Sequence, residues 1–317
     1  TQSGYHDIHS ELSASDTEVL TDEEKAFILN NFFSPKFETM IYKSETYQAL
    51  YKKRFSKDIA TPEDFTPQEY SDLMALFNLV WIDPVHYARY PKLQELWDKK
   101  CNYTRDDRIE IIAIQKQIIR EIIPTYKKYI QEGRIELTTS PYYHAILPIL
   151  FDIKSSTKSV ATTEGLPQTL GMSDDARYQI MSALDRVEEI FGVRPKGMWP
   201  PELCLGPKTL HNLAKEGIKW TISDEGVLSD SINFDFVRDF KGNLNDPYHL
   251  LKVYTYQTKD SEIDVIFRDR SIPNLINFEY AGVNPVMAAG DLYEKIKTIQ
   301  SKLLVSPDDT HLLTIAS

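Results

Sequence analysis

Two cysteines in 317 residues, Cys101 and Cys204, leave no disulfide framework and no cysteine-based zinc spacing to consider. The seven histidines are scattered without ligand spacing, so no metal centre and no cofactor is expected. Positive charge is in short supply: 36 Lys and Arg stand against 47 Asp and Glu, a formal net charge of -11. Such a surface repels phosphate backbones and anionic lipids, which argues against nucleic acid and membrane surfaces as partners. No run is long and apolar enough to span a bilayer, and the chain does not open on a basic segment followed by an apolar one. Sparse cysteine is compatible with a reducing cytoplasm, the expected compartment. A neutral polymer such as a polysaccharide meets no electrostatic penalty. Aromatic residues are plentiful, with 18 Tyr, 14 Phe and 4 Trp, and sugar faces stack on such rings. Composition alone nevertheless assigns most of them to the core.

The pattern along the chain changes twice. Residues 1–20 are polar and acidic without periodicity, which predicts a poorly ordered arm or surface loop. From 21 to 132 the sequence reads as helices. Thr21 opens a capping box with Glu24, and Thr66, Pro67 and Glu69 form a second start signal at N-cap, N1 and N3. Thr104 begins an isoleucine-rich helix, expected to break or kink near Pro124 and to stop at Gly133. Over 133–317 short apolar runs alternate with helical stretches. Strands are predicted at 134–139, 196–199, 218–223, 262–268 and 311–316, and helices near 174–191, 206–216 and 287–304. Alternation of this kind implies a parallel sheet covered by helices. Continuous apolar strands fit burial on both faces, and a barrel or an open doubly wound sheet satisfies the pattern equally.

The segments behind the strands carry the chemistry. Strand 134–139 runs into Ser140-Pro141-Tyr142-Tyr143-His144, and Trp199 into Pro200-Pro201-Glu202. The strand holding Trp220 runs into Asp224-Glu225, and the one ending at Phe267 into Arg268-Asp269-Arg270. In a barrel these C-terminal ends converge on one face, where active sites are built. Paired carboxylates in an aromatic cleft suit glycosidic bond cleavage, one attacking the anomeric carbon and the other handling the proton. Each residue also has a plainer reading. Glu202 is explained as a solvated carboxylate on a rigid proline loop, and His144 as a satisfied, partly buried histidine. Asp224 and Glu225 fit a helix start, and Asp269 fits a salt bridge with its neighbouring arginines. A buried Glu136 would need a partner. Trp199 and Trp220 serve as well in a core as under a sugar.

The blocks GRIELTTSPYYHAILPIL, GMWPPELCLGPKTL, IKWTISDEGVL and FRDRSIPNLINFEYAG resemble, in order and spacing, those of glycoside hydrolase family 57. The likeness is to its amylopullulanase and α-amylase-like branch, shared by FNLVWIDP and KKCNYTRDD in the helical part, and it covers about residues 21–317. That resemblance implies an α/β fold: an incomplete (β/α)7, TIM-like barrel with a large N-terminal helical insertion. It implies retaining chemistry on α-glucans such as starch, glycogen or maltooligosaccharides, without a catalytic metal. It places the nucleophile on Glu202 and the general acid/base on Asp269. His144, Tyr143, Trp199, Trp220, Asp224, Glu225 and Arg268 fall in blocks near the substrate. A His-Gln-Pro strand that usually starts the barrel is missing, as is an Asp-Gly-Glu block after 311–316, so a fragment cut at both ends is expected. Ser-Asp-x-Ile-Gly-Phe is replaced by a stretch running from Pro273 to Phe278, which bears on acceptor specificity. A 4-α-glucanotransferase or branching enzyme, and a non-catalytic glycan-binding relative, remain open beside hydrolysis. A metal-dependent deacetylase is the weaker remaining alternative.

Overall fold

Helix-start chemistry fixes the first part of the chain. The computed structural model describes residues 7–56, 59–153, 171–303 and 310–316. The chain divides into two units, Thr1–Thr125 and Tyr126–Ser317. The first holds α1 (Ile8–Ala14), α2 (Asp22–Asn31), α3 (Glu45–Arg54), α4 (Pro67–Val80), α5 (Pro91–Lys99) and most of α6 (Arg105–Gln131). Thr21 and Thr66 each form the expected capping box, accepting from the amides of Glu24 and Glu69 while those carboxylates accept from the cap backbones. Pro67 sits at the first helical position of α4, where a missing N–H costs nothing.

The α4 helix is the centre of this unit. Leu73, Met74, Ala75 and Leu79 have no exposure, and they pack with Ile28, Phe32, Tyr47, Leu93 and Ile111. Burying each large aliphatic side chain contributes about 1.5–3 kcal/mol. Within the stretch expected to be a loose arm, residues 8–14 form α1, and Leu12 and Leu20 are buried in the same core. Its C-terminal carbonyls are held by cations from α6: Arg108 Nη1 donates to Ser13 O at 2.7 Å and Arg105 Nε to Ala14 O at 2.8 Å. Such bonds satisfy the orphan carbonyls of a helix end. Residues 1–6 of that stretch lie outside the described residues. Of the break or kink expected near Pro124, the break does not occur: α6 runs on through Pro124, whose missing N–H removes one bond from a 27-residue helix. It stops at Gly133, at φ 66°, where Gly133 N–H bonds Ile130 O and Arg134 N–H bonds Tyr129 O. This pair of bonds is a Schellman stop.

In the second unit, β1 (Thr138–Thr139), α7 (Leu147–Phe151), α8 (Ser173–Phe191), β2 (Gly197–Met198), α9 (Pro207–Lys215), β3 (Trp220–Asp224) and α10 (Glu225–Ile232) come first. After them stand β4 (Tyr254–Gln257), β5 (Glu262–Arg268), α11 (Ser271–Asn274) and α12 (Pro285–Leu303). Residue 304 of the last expected helix lies outside the described residues. The sheet order is β1-β2-β3-β5-β4, parallel except for β4, which pairs antiparallel with β5. This is a mixed α/β sheet with much helix. Among the described residues β1 and β4 are its edges, and the sheet does not close.

Burial along β5 alternates instead of being continuous: Ile263, Val265 and Phe267 join a core with Ile180, Leu184, Leu213 and Leu228, while Asp264, Ile266 and Arg268 are half-buried. One face is packed by helices and the other is only partly covered, so period two returns. Residues 311–316 form no strand. Leu312 N–H reaches Leu251 O and Ala316 O accepts from Arg268, but no neighbouring strand supplies a ladder. No helix among the described residues is long and apolar enough to cross a membrane.

Candidate active site

Because β1, β2, β3 and β5 are parallel and adjacent, the segments behind them emerge at one end of the sheet, where these strands finish. Behind β2, Pro200 and Pro201 stiffen a turn in which Glu202 (φ 53°, ψ 19°) and Leu203 (φ 55°) are both left-handed. Two such non-glycine residues in succession carry backbone strain, of order 1–3 kcal/mol each. The surroundings hold the turn. Leu203 is buried with Ile222 and Ala316, its amide bonds Pro200 O at 2.9 Å, and Ser223 Oγ donates to its carbonyl at 2.7 Å. The result presents the Glu202 side chain to solvent. Burial, reinforced by the Glu202 charge, pushes the Cys204 thiol above its usual range.

Behind β3 and β5 the charges are tied together. Asp224 and Arg268 are register partners, and Arg268 Nε donates to Asp224 Oδ2 at 3.3 Å. Oδ1 of Asp224 accepts from Arg270 Nη2 and from Gly226 N–H, which starts α10. Burial works against the Asp224 charge, but Arg270, the Gly226 amide and Arg268 outweigh it and hold the carboxyl below the usual range. Glu225 and Asp269 are 5% and 2% exposed. Asp269 Oδ1 accepts from Ser271 N–H at 2.7 Å and Ile272 N–H at 3.0 Å, which starts α11. Its Oδ2 accepts from Arg238 at 3.2 Å, and the same guanidinium grips both Glu225 oxygens at 2.6 and 2.5 Å.

Aromatic residues line the rest of that end. Tyr142 and Tyr143 meet edge to face at 4.9 Å, and Gln179 of α8 accepts from both of their amides. With Ser140, His144 and Arg186 they line a cleft of about 340 Å³. Tyr143 is 76% exposed, and His144 is exposed at φ 56° rather than partly buried. Trp199 and Trp220 border a second cavity of about 320 Å³ with Thr138, Ile222, Ile266 and Ala316. Trp220 lies directly against Gly197, where a Cβ would stand 2.4 Å from the indole Cε2. Its Nε1 donates to Glu136 at 2.9 Å, so Glu136 is an exposed acceptor for an indole and not a buried ion-pair partner. Among the described residues no group of three or more His, Cys, Asp or Glu is placed to hold a metal ion.

With the strand-end geometry established, comparison with known proteins adds a family. A model of glycosyl hydrolase family 57 matches residues 7–315. The chain belongs to that family. No curated protein matches. Similar solved structures include a 4-alpha-glucanotransferase from Thermococcus litoralis, with 18% identity and a TM-score of 0.34, covering 54% of this chain and 22% of that one. The alpha-amylase AmyC from Thermotoga maritima is 15% identical with a TM-score of 0.34, covering 84% of this chain and 42% of that one. A branching enzyme of the same family from Pyrococcus horikoshii is 15% identical with a TM-score of 0.36, covering 82% and 35%. The chain thus spans under half the length of these relatives.

Within this family 57 chain, Asp224, Glu225, Arg268 and Asp269 come together in two linked ion-pair sets, whereas Glu202 takes part in neither. Sequence reasoning missed Arg238. It is 13 residues from Glu225 and 31 from Asp269, in a stretch with no periodicity or motif spacing, so only folding reveals its partners.

Proposed function

We propose that the chain carries the catalytic strand ends of a retaining glycoside hydrolase acting on α-glucans, on part of a (β/α)7 barrel. Glu202 is the nucleophile and Asp269 the general acid/base. The observation that carries this reading is the exposed Glu202 on a strained left-handed turn behind β2, at the same end of the sheet as Asp269 behind β5. Strain held by its surroundings concentrates at functional positions, and family membership supplies the reaction class.

In the first step the Glu202 carboxylate bonds the anomeric carbon while the glycosidic C–O bond breaks. Asp269 gives its proton to the departing oxygen, so the aglycone leaves as an alcohol. In the second, Asp269, now a carboxylate, takes a proton from water. The resulting oxygen attacks the anomeric carbon and releases Glu202. A sugar hydroxyl in place of water gives transfer instead. Tyr143 and Trp199 offer faces for sugar stacking, His144 and Trp220 border the same clefts, and Asp224, Glu225 and Arg268 shape that end of the sheet.

Glu202→Gln is the test. Expected are loss of turnover on maltooligosaccharides, unchanged circular dichroism and retained glucan binding by calorimetry. Wild-type turnover in that variant overturns the assignment. A wild-type chain that binds glucan without turning it over identifies a glycan-binding relative. Product analysis separates the two catalytic outcomes, since new reducing ends mark hydrolysis and redistributed chain lengths mark transfer.

A further inference from the structure

A small hairpin after α10 delivers one side chain to two buried carboxylates. Arg238 pairs with Leu244 in an antiparallel bridge, Asn245 N–H bonds Val237 O, and Asp239 N–H bonds Asn243 O. The hairpin is pinned from α12, where Lys295 Nζ donates to Lys241 O at 3.1 Å and Lys302 Nζ to Leu244 O. Its tip lies against α11: a Cβ on Gly242, at φ 79°, would stand 3.4 Å from Ser271 Oγ. Ser271 is also the residue whose amide holds Asp269 Oδ1.

From this we infer that Arg238 is a positioning residue for the acid/base, clamping Asp269 in its base form and releasing one carboxylate oxygen when the acid form is needed. The role rests on the assignment of Asp269 given above; the clamp itself rests on the contacts. Among the described residues, each donor to Asp269 favours a carboxylate. Two backbone amides occupy Oδ1 and the guanidinium occupies Oδ2. A general acid needs a proton on one oxygen, and Oδ2 is the one whose donor is a side chain. That bond, at 3.2 Å, is longer than the two to Glu225 at 2.6 and 2.5 Å. Arg238 therefore remains anchored on Glu225 when it yields Oδ2.

The neighbouring charges are engaged elsewhere. Glu225 on α10 is bound to Arg238 and to the Arg270 amide, Asp224 at the end of β3 is bound to Arg268 and Arg270, and Lys295 and Lys302 hold hairpin carbonyls. Burial opposes the Arg238 charge, yet the Glu225 hydrogen bonds and the Asp269 charge raise its proton affinity above the usual range. Among the described residues, Arg238 is thus the cation paired with Asp269.

The test titrates the Asp269 carboxyl by 13C NMR in the whole chain, with the signal assigned by its absence in Asp269→Asn. In Arg238→Gln the titration is expected to move to higher pH, because the guanidinium on Oδ2 is gone. In Arg238→Lys, which keeps the charge, it returns most of the way. A titration that does not move in Arg238→Gln overturns the clamp. Should Arg238→Gln fail to fold because Glu225 is left unpaired, the double variant Arg238→Gln/Glu225→Gln is compared with Glu225→Gln alone, and the same upward move between those two is expected; no difference between them overturns the clamp.

Kinetics separate this inference from the function beneath it. If Asp269→Asn slows activated and unactivated substrates equally, the acid/base assignment fails and the role in catalysis falls with it. If that assignment stands, the alkaline limb of kcat/KM is expected to move upward in Arg238→Gln, alongside the NMR titration. A lower kcat with an unmoved limb marks a merely structural arginine.

Discussion

The two units differ in the charge they bury most deeply. In the helical unit Arg108 is 2% exposed and has a backbone carbonyl as its near partner, Ser13 O at the end of α1. Burial, with Arg105 nearby, pushes its guanidinium down to about 10. In the sheet unit the most deeply buried charges are carboxylates, Glu225 and Asp269, which share Arg238 behind the strand ends. One arrangement secures a helix terminus. The other assembles acidic groups where parallel strands finish, and holds each of them with donors. The buried Arg108 serves the stability of the first unit; the buried carboxylates of the second lie at the proposed chemistry.

That contrast can be broken by mutation. The largest effect belongs to Glu202→Gln, expected to lower turnover by about 10³-fold or more, equal to roughly 4 kcal/mol in the barrier, without lowering the denaturation midpoint. A fall in stability with turnover intact would make Glu202 a structural residue. Next comes Leu73→Ala at the centre of α4, fully buried in the wild type. It should cost about 2–5 kcal/mol in urea titrations, with kcat per folded molecule unaltered.

Gly197→Ala tests the sheet by crowding instead of truncation. The new methyl meets Trp220, so about 1–3 kcal/mol of destabilisation is expected, with a change in tryptophan fluorescence. Thr66→Ala removes the α4 cap and should cost about 1 kcal/mol with no functional consequence. The smallest effect sharpens the electrostatic side. Because Asp224 is held below the usual carboxyl range, its stabilisation is complete above the unfolded value, about 4, and is lost as pH falls through the folded value. Asp224→Asn should therefore differ from wild type at neutral pH and converge with it in acid. A constant gap across pH would show that the Arg268 and Arg270 pairs contribute nothing through charge.

Much of the local architecture could be read from residue order, because its causes are local. Thr21 with Glu24 and Thr66 with Glu69 specify their helix starts within four residues, and Gly133 specifies a stop. The strand-end junctions were legible for a similar reason, since the turn comes directly after its strand. The features that escaped depend on distant partners. The α1 helix is too short for a periodic signal and is secured by Arg105 and Arg108, more than 90 residues on. The β4 strand alternates weakly and exists because it can pair with β5 across a short turn. The apolar run at 311–316 looks like a strand, but composition does not provide a neighbour. At the site, Asp224, Glu225 and Asp269 were visible as acidic residues after strands, while the cation joining two of them was not.

The left-handed pair at Glu202 and Leu203 has a consequence for any effort to make this protein withstand heat. Glycine or asparagine at 202, an exposed position, would relieve the backbone without emptying the core around Leu203, so selection for thermal tolerance alone should drift toward those residues. Such a chain has no carboxylate on that turn. Evolution under heat without a demand for turnover would return a tougher chain that lacks the proposed nucleophile.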